Sequence, residues 1–274
     1  MKMLKNHLIL FDAECPMCNM YTKAFVSSGL LEANGRSSYQ EFTEQSCPML
    51  DRQRAVNEIA LINQETGEVI YGIESLFTIF ASAIPVLKFL FINRIFIGLM
   101  AKVYAFVSYN RRVIIPAPVD VNRIGLQPTF KLNYRIAYLI FTWIITAYIL
   151  SAYGKLMTEI LPQAPAYREY LICAGQIFFQ GIIISIVSET RKWEYLGNMM
   201  TISLAGALLL LPGLLISAFF QFNPIFYVAW FMAIVGLMFL EHIRRSRLLQ
   251  LGWMLTISWV LYRVMVLLFI FLYQ

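Results

Sequence analysis

Apolar and polar positions divide the chain into two regimes. From about residue 7 to residue 85 the apolar runs are short and broken by turn-forming residues; from about residue 134 they lengthen into long blocks. The first region opens on Leu8-Ile9-Leu10-Phe11, a run that suits a buried strand over about 7–11, followed by a helix over about 15–29 that ends near Gly29. Arg36-Ser37-Ser38-Tyr39, after the Asn34-Gly35 turn signal, predicts a second strand. Residues 43–55 predict a helix with Pro48 in its first half. Glu58–Asn63 and Glu68–Tyr71 flank Gln64-Glu65-Thr66-Gly67 and predict a hairpin. After Gly72, the residues Ile73, Leu76, Phe77, Phe80, Ile84 and Leu87 recur at helical spacing, interrupted by Pro85. The order is βαβαββα, one α/β layer domain.

Phe89–Met100 is apolar, but Asn93, Arg94 and Lys102 interrupt the run. Ile95, Phe96, Leu99, Met100, Val103, Phe106 and Val107 form one helical stripe, which predicts an amphipathic helix packed on the domain or lying at a membrane surface. Residues 112–133, with Pro116, Pro118 and Pro128, read as a linker. Beyond it lie five apolar blocks, at about 135–153, 170–187, 198–220, 224–241 and 251–272. Each approaches the ~20 residues that a helix needs to cross about 30 Å of hydrocarbon. They are apolar on every face, unlike the alternating strands of a barrel. Tyr153, Tyr170, Trp193, Tyr195, Trp253 and Tyr273 near their ends suit interfacial anchors, and Pro212 is expected to kink the third block. The expected division is a domain at 1–111, a linker at 112–133, and an all-α transmembrane bundle of five helices at 134–274.

Composition supports a bilayer as the second solvent. Of 274 residues, 59% are hydrophobic and 14% charged, with mean hydropathy +0.64; a soluble domain carries about 25% charged residues. The net charge of +6 does not call for nucleic acid, because Lys and Arg collect in the cytoplasmic loops of membrane proteins. Arg111, Arg112, Arg123, Lys131, Arg135, Arg191, Lys192, Arg244, Arg245 and Arg247 fall on one side of the expected spans, and only Lys155 and Arg168 on the other. This asymmetry predicts a multi-pass cell-membrane protein with its N-terminal domain in the cytoplasm and, after five spans, Gln274 outside. Four apolar residues after Met1–His7 are too few for a secretory leader.

The candidate chemistry lies in Asp12-Ala13-Glu14-Cys15-Pro16-Met17-Cys18, directly behind the first strand. Cys15 falls at the strand-to-helix turn, where free N–H groups and the helix dipole stabilise a thiolate, while Cys18 lies a turn inside. Pro16 fits the first helical turn. Two cysteines three apart can close a disulfide ring, so Cys15 can attack a substrate disulfide and Cys18 resolve the product. Asp12 either caps the turn or handles the proton of Cys18. The alternatives are an inert buried pair and half of a zinc site. The zinc site would take Cys47 as third ligand and would need His7 or His242, neither in a paired spacing. Ser46-Cys47-Pro48-Met49 echoes the motif, and Cys47 reads as a packed bystander. Four cysteines are too few for a disulfide scaffold, and a cytoplasmic pair is more often catalytic than structural.

Asp12-x-x-Cys15-Pro16-x-Cys18 after a first strand resembles the DCC family of thiol-disulfide oxidoreductases. The likeness extends to Gly72-Ile73-Glu74-Ser75-Leu76, to Tyr104 and to Asn110-Arg111, and covers about residues 7–116; Ala13 and Ser75 stand where the family has Gly and Ala. It implies a thioredoxin-like fold, Cys15 as attacking thiol, Cys18 as resolving thiol, Asp12 as the acidic group beside them, and a bacterial inner membrane as the location. Arg54-Ala55-Val56-Asn57, before the expected third strand, lacks the proline that thioredoxins place there. In the apolar blocks, Cys173 is alone, so no thiol relay crosses the bilayer. Gln176 and Gln180 suit interhelical hydrogen bonds, and Arg263, near mid-span, is expected to face the bundle with a glutamine or a backbone carbonyl as partner. The expected function is a membrane-anchored protein-disulfide reductase that needs no cofactor or metal and acts on a protein or small-molecule disulfide. The alternatives are a redox sensor or partner-binding protein, and a quinone-linked or transport protein with an accessory redox domain.

Overall fold

Side chains alternate across a strand, and Leu8-Ile9-Leu10 is apolar on both faces, so its strand must be covered on both sides. The computed structural model describes residues 2–42, 47, 49–117, 126–160, 162, 165, 167–220 and 222–272; Ser46, Pro48, Pro118, Arg123, Tyr273 and Gln274 lie outside them, as does most of the first half of the helix expected over 43–55. The chain divides into two units, Met1–Tyr134 and Arg135–Gln274.

In the first unit, β1 (His7–Phe11) leads to α1 (Pro16–Ser27) and β2 (Arg36–Ser38), then α2 (Arg52–Asn57), β3 (Ala60–Asn63), β4 (Val69–Tyr71) and α3 (Ile73–Ala83). The sheet order is β2-β1-β3-β4, with β1 parallel to β2 and antiparallel to β3, and β3 antiparallel to β4. The register pairs Ile9 with Leu61, Leu8 with Ile62 and Leu10 with Ala60. Ile9 and Leu61 therefore share one face, packed with Phe25, Leu30 and Ile79. Leu8, Leu10, Ala60 and Ile62 share the other, packed with Ala55 and Cys47.

The helix expected over 43–55 is shorter and later. Among the described residues, helix begins only after Asp51, whose carboxylate accepts the N–H of Arg54 at 2.9 Å. A carboxylate on the residue before Arg52 is a strong N-cap and suits a start there.

The amphipathic segment also differs from a single helix. After a 3-10 turn at Pro85–Leu87 it forms α4 (Lys88–Ile92) and α5 (Arg94–Ile114), bent by 85°. Asn93 accepts the N–H groups of Ile95 and Phe96, starting α5 afresh. Phe91 and Phe96, one on each side of the break, both stack on Phe77 of α3, at 4.9 and 5.5 Å between centroids. The expected stripe is split between two faces. Phe96, Met100, Tyr104 and Ser108 lie on the packed face, whereas Ile95, Leu99 and Val103 are 85%, 60% and 46% exposed.

The second unit is helical: α6 (Leu132–Gly154, entered from the first unit), α7 (Arg168–Val187), α8 (Lys192–Ser217), α9 (Pro224–Leu248) and α10 (Met254–Leu272). With the 3-10 turns at Lys155–Met157 and Glu189–Arg191, these make five helices long and apolar enough to cross a membrane. The chain is a multi-pass membrane protein by this criterion. The spans run beyond the apolar blocks at several ends, because polar residues such as Asn133, Arg135 and Arg245 continue the helices. α8 runs through Pro212 to Ser217. Gly206 on α8 lies against Met238 of α9, where any Cβ would collide with the thioether.

An exposed apolar face flanked by Lys88, Arg94 and Lys102 suits the headgroup region of an anionic leaflet. Spin labels placed one at a time at Ile95, Leu99 and Val103, on a chain with its four cysteines replaced by serine and held in nanodiscs, should relax more strongly with oxygen than with a nickel complex. A label at Lys102 should do the opposite. Preferential relaxation by nickel at all four positions would place this face in water.

Candidate functional site

β1 ends at Phe11, and the turn Asp12–Glu14 closes with the N–H of Cys15 donating to the Asp12 carbonyl at 3.1 Å. Cys15 is the N-cap of α1, and its Sγ accepts the backbone N–H of Cys18 at 3.3 Å. Pro16 occupies the first turn, where its missing N–H leaves nothing unmade. Both cysteines are free thiols, packed with Phe11, Met17 and Tyr21. Cys15 is 0% exposed and Cys18 3%, so any reagent must pass this cover.

The two sulfurs are electrostatically unequal. A hydrogen bond from the Cys18 thiol, aided by the Arg111 guanidinium, brings Cys15 down to about 7 against the opposing effects of burial and of the Asp12 carboxylate. The same hydrogen bond and burial push Cys18 well up. One proton is thus held between the pair, on Cys18.

Asp12 is buried, at 2% exposure, and surrounded by donors. Its Oδ1 accepts from the N–H of Glu14 (3.1 Å), Gln40 Nε2 (3.0 Å) and the Tyr39 hydroxyl (3.4 Å). Its Oδ2 accepts from Arg111 Nη2 and Arg112 Nη2, both at 3.2 Å. Burial alone would push the carboxyl up, but Arg112, Arg111 and Gln40 together hold it below the usual carboxylate range. A carboxylate so saturated is a poor proton acceptor and a good anchor for guanidinium groups.

What Asp12 anchors is the C-terminal end of α5. Arg111 also donates to the carbonyls of Val56 (2.7 Å) and Asn57 (3.0 Å), which closes the end of α2. Ser108 donates to the same Asn57 carbonyl at 2.6 Å. One residue therefore ties the turn before α1, the end of α2 and the thiol pair to α5. Tyr104, about two turns before Arg111, accepts the N–H of Ile59 at 3.0 Å. Gly72 has φ of +63°, and a Cβ there would meet the Glu58 carboxylate at 2.8 Å. Ser75 is buried with its hydroxyl donating to Ile70 O at 2.7 Å. Arg112 extends the cluster to Glu14 (3.4 Å) and to Gln127 Oε1 (2.8 Å).

No family model, curated protein or solved structure matches the chain. The site therefore rests on its own geometry.

Asp12, Cys15 and Cys18 lie together, whereas Cys47 packs with the sheet face formed by Leu8 and Leu10. Among the described residues no three His, Cys, Asp or Glu side chains cluster to hold a metal ion. Tyr39, Gln40 and Arg112 are additions that sequence reasoning missed; Arg112 looked like a loop charge, whereas Arg111 also fell in the Asn110-Arg111 element of the resemblance. The buried Asp12 offers a signal in retrospect, since a buried carboxylate demands a cation.

Removing Asp12 leaves Arg111 buried without its anion, and Asp12→Asn should lower the stability of the first unit by about 3–5 kcal/mol. The carboxylate is held below its ordinary range when folded, so its stabilisation is complete above about pH 4 and is lost as pH falls through the folded value. That acid limb should be absent in Asp12→Asn. Hydrogen exchange of peptides covering 50–60 and 104–114 in the full chain measures both effects. Unchanged protection would mean that the pair does not hold α5.

Proposed function

We propose that the N-terminal unit is a thioredoxin-like thiol-disulfide oxidoreductase of the DCC type, carried by a membrane protein. The observation that carries this reading is the inequality of the two thiols at the start of α1. Cys15 is brought to about 7, close to where an attacking thiol combines thiolate fraction with nucleophilicity. Cys18 is kept protonated beside it. The element order βαβαββα, with the pair at the first strand-to-helix turn, supports the thioredoxin-like assignment.

The chemistry runs in two displacements. The Cys15 thiolate attacks one sulfur of a substrate disulfide, forming a mixed disulfide and releasing the other half as thiolate. Cys18 loses its proton and attacks Cys15 Sγ, which forms the Cys15–Cys18 disulfide and releases the second substrate thiolate. Two electrons pass to the substrate, and an external dithiol is required to restore the pair. Arg111 is a positioning residue for this chemistry: its charge lies near both sulfurs, and Asp12 fixes it there. Asp12 itself serves as the anchor of Arg111 rather than as a proton carrier.

The burial of both sulfurs favours a second reading, a redox sensor whose pair reacts only when its cover opens. Turnover separates the two. A reductase reduces a model disulfide repeatedly when a dithiol is supplied, and Cys18→Ser accumulates a mixed disulfide through Cys15. A sensor is oxidised once and shows no multiple turnover.

Alkylation of Cys15 in a Cys18-containing chain should follow a midpoint near pH 7. Arg111→Met should move that midpoint upward, and Arg111→Lys by less. A Cys15 midpoint at or above that of a free thiol, about 8.5, would remove the catalytic reading.

A further inference from the structure

We infer that the five-helix unit binds a small monovalent anion of the chloride class at Arg263, in a cavity between α6, α8, α9 and α10. This site is independent of the thiol chemistry.

Arg263 lies on the bundle face of α10, one turn after the buried Trp259. Its Nε donates to Gln176 Oε1 of α7 at 2.6 Å, and its guanidinium carbon lies 4.9 Å from the centroid of the Trp259 ring. Both partners are neutral. Among the described residues no carboxylate pairs with Arg263; Glu169, also on α7, is paired with Arg168 at 2.8 Å. The groups in direct contact with this positive charge are thus an amide oxygen and a π face, while Glu169, already paired with Arg168, acts on it from a distance.

The polar side chains in contact with Arg263, Gln176 and Trp259, hold donors in excess. A guanidinium accepts nothing, so Gln176 must present its oxygen to Arg263, and its buried amide nitrogen is left without an acceptor. The Trp259 indole nitrogen, which can only donate, is likewise buried without a partner, as is the hydroxyl of Thr146 on α6. Gln176, Trp259 and Thr146 are 2%, 2% and 3% exposed. Thr146, Arg263 and Ser203 of α8 line one cavity of about 20 Å³, whose remaining walls include Gly206, Leu210, Ile234 and Met238; Gln176 and Trp259 reach it through Arg263 rather than as walls. A void of about 10–15 Å³ or more on this measure admits a water, so this one suits a single atom of water-to-halide size. It is far too small for a quinone ring or a lipid headgroup.

A water would bring two lone pairs and no charge. A halide accepts from several donors at once and also neutralises the guanidinium. Donor excess beside a cation that no carboxylate contacts among the described residues selects the anion.

The test uses the full chain in detergent, with chloride titrated into sodium gluconate at constant ionic strength. The unfolding temperature should rise, by about 3 °C per tenfold increase in chloride above the midpoint of binding. Bromide in place of chloride should quench a saturable fraction of tryptophan emission, and Trp259→Phe should lose that fraction. Thr146→Val, which removes one hydroxyl at nearly constant volume, should weaken the chloride midpoint several-fold, and Arg263→Gln should abolish the response. Should Arg263→Gln fail to fold, Thr146→Val and the bromide fraction still decide. An unfolding temperature indifferent to chloride would assign the cavity to water and overturn the proposal. A chloride response unchanged in Thr146→Val would place the anion elsewhere and overturn it equally.

Discussion

A guanidinium taken out of water must be met by acceptors, because its charge cannot be titrated away. Both units of this chain are organised around that demand. Arg111, 5% exposed, is met by the Asp12 carboxylate and two backbone carbonyls, and those acceptors come from the turn after β1 and the end of α2. The ion pair therefore joins segments a hundred residues apart and brings the last helix of the unit against the thiols. Arg245, 8% exposed, is met by Glu241 at 2.7 Å and by Asn198 of α8 at 3.0 Å, which ties α9 to α8. Arg135 donates to the Trp193 carbonyl at 2.8 Å, joining α6 to α8. In each case the acceptor comes from another element or another turn, so charge burial and tertiary order become the same event.

Within the second unit, a polar seam of neutral groups accompanies these cations. The Tyr195 hydroxyl contacts both Gln180 Oε1 (2.9 Å) and His242 Nε2 (3.1 Å), and Gln180 Nε2 donates to Ser258 at 3.2 Å. His242 Nδ1 faces Thr256 at 3.1 Å, and the imidazole stacks on Trp259 at 5.3 Å. Such groups in an apolar bundle fix which faces of the helices meet, since any other pairing would leave them without partners. Leu and Ile side chains alone are interchangeable against lipid and give no such register.

Much of this was legible in the chain. The strand at Leu8–Phe11, the hairpin around Gln64–Gly67 and the five apolar blocks each depend on local pattern, and each was found within a few residues. Arg263 was readable too, because a cation at mid-span has few options and a glutamine on a neighbouring helix is one of them. What escaped depended on distant partners. The single stripe drawn through Ile95–Val107 assumed one apolar face, but Phe77 of α3 takes Phe91 and Phe96, bends the segment, and leaves Ile95, Leu99 and Val103 outside. Arg112 was read only as loop charge, and Arg111 as loop charge and as part of a motif resemblance without a partner, because nothing within ten residues announces a buried carboxylate at position 12. Tyr39 and Gln40 carry no motif; the parallel pairing of β2 with β1 brings them to Asp12.

The same logic of displaced partners bears on the proposed reaction, in which Cys18 is the resolving thiol and yet is held far from ionisation. Cys18 is pushed up chiefly because it donates to the Cys15 sulfur, and burial adds to the effect. That hydrogen bond is strong only while Cys15 is an anion. Once Cys15 has joined a substrate sulfur in a mixed disulfide, its charge is gone and the acceptor is weak. Cys18 then keeps the charge of Arg111, which favours the thiolate. The group that restrains the second thiol is therefore removed by the first chemical step, and the group that promotes it stays in place because Asp12, Val56 and Asn57 hold it. In the proposed reaction the electrostatics of the turn thus favour attack before resolution, once the cover over the sulfurs has been passed.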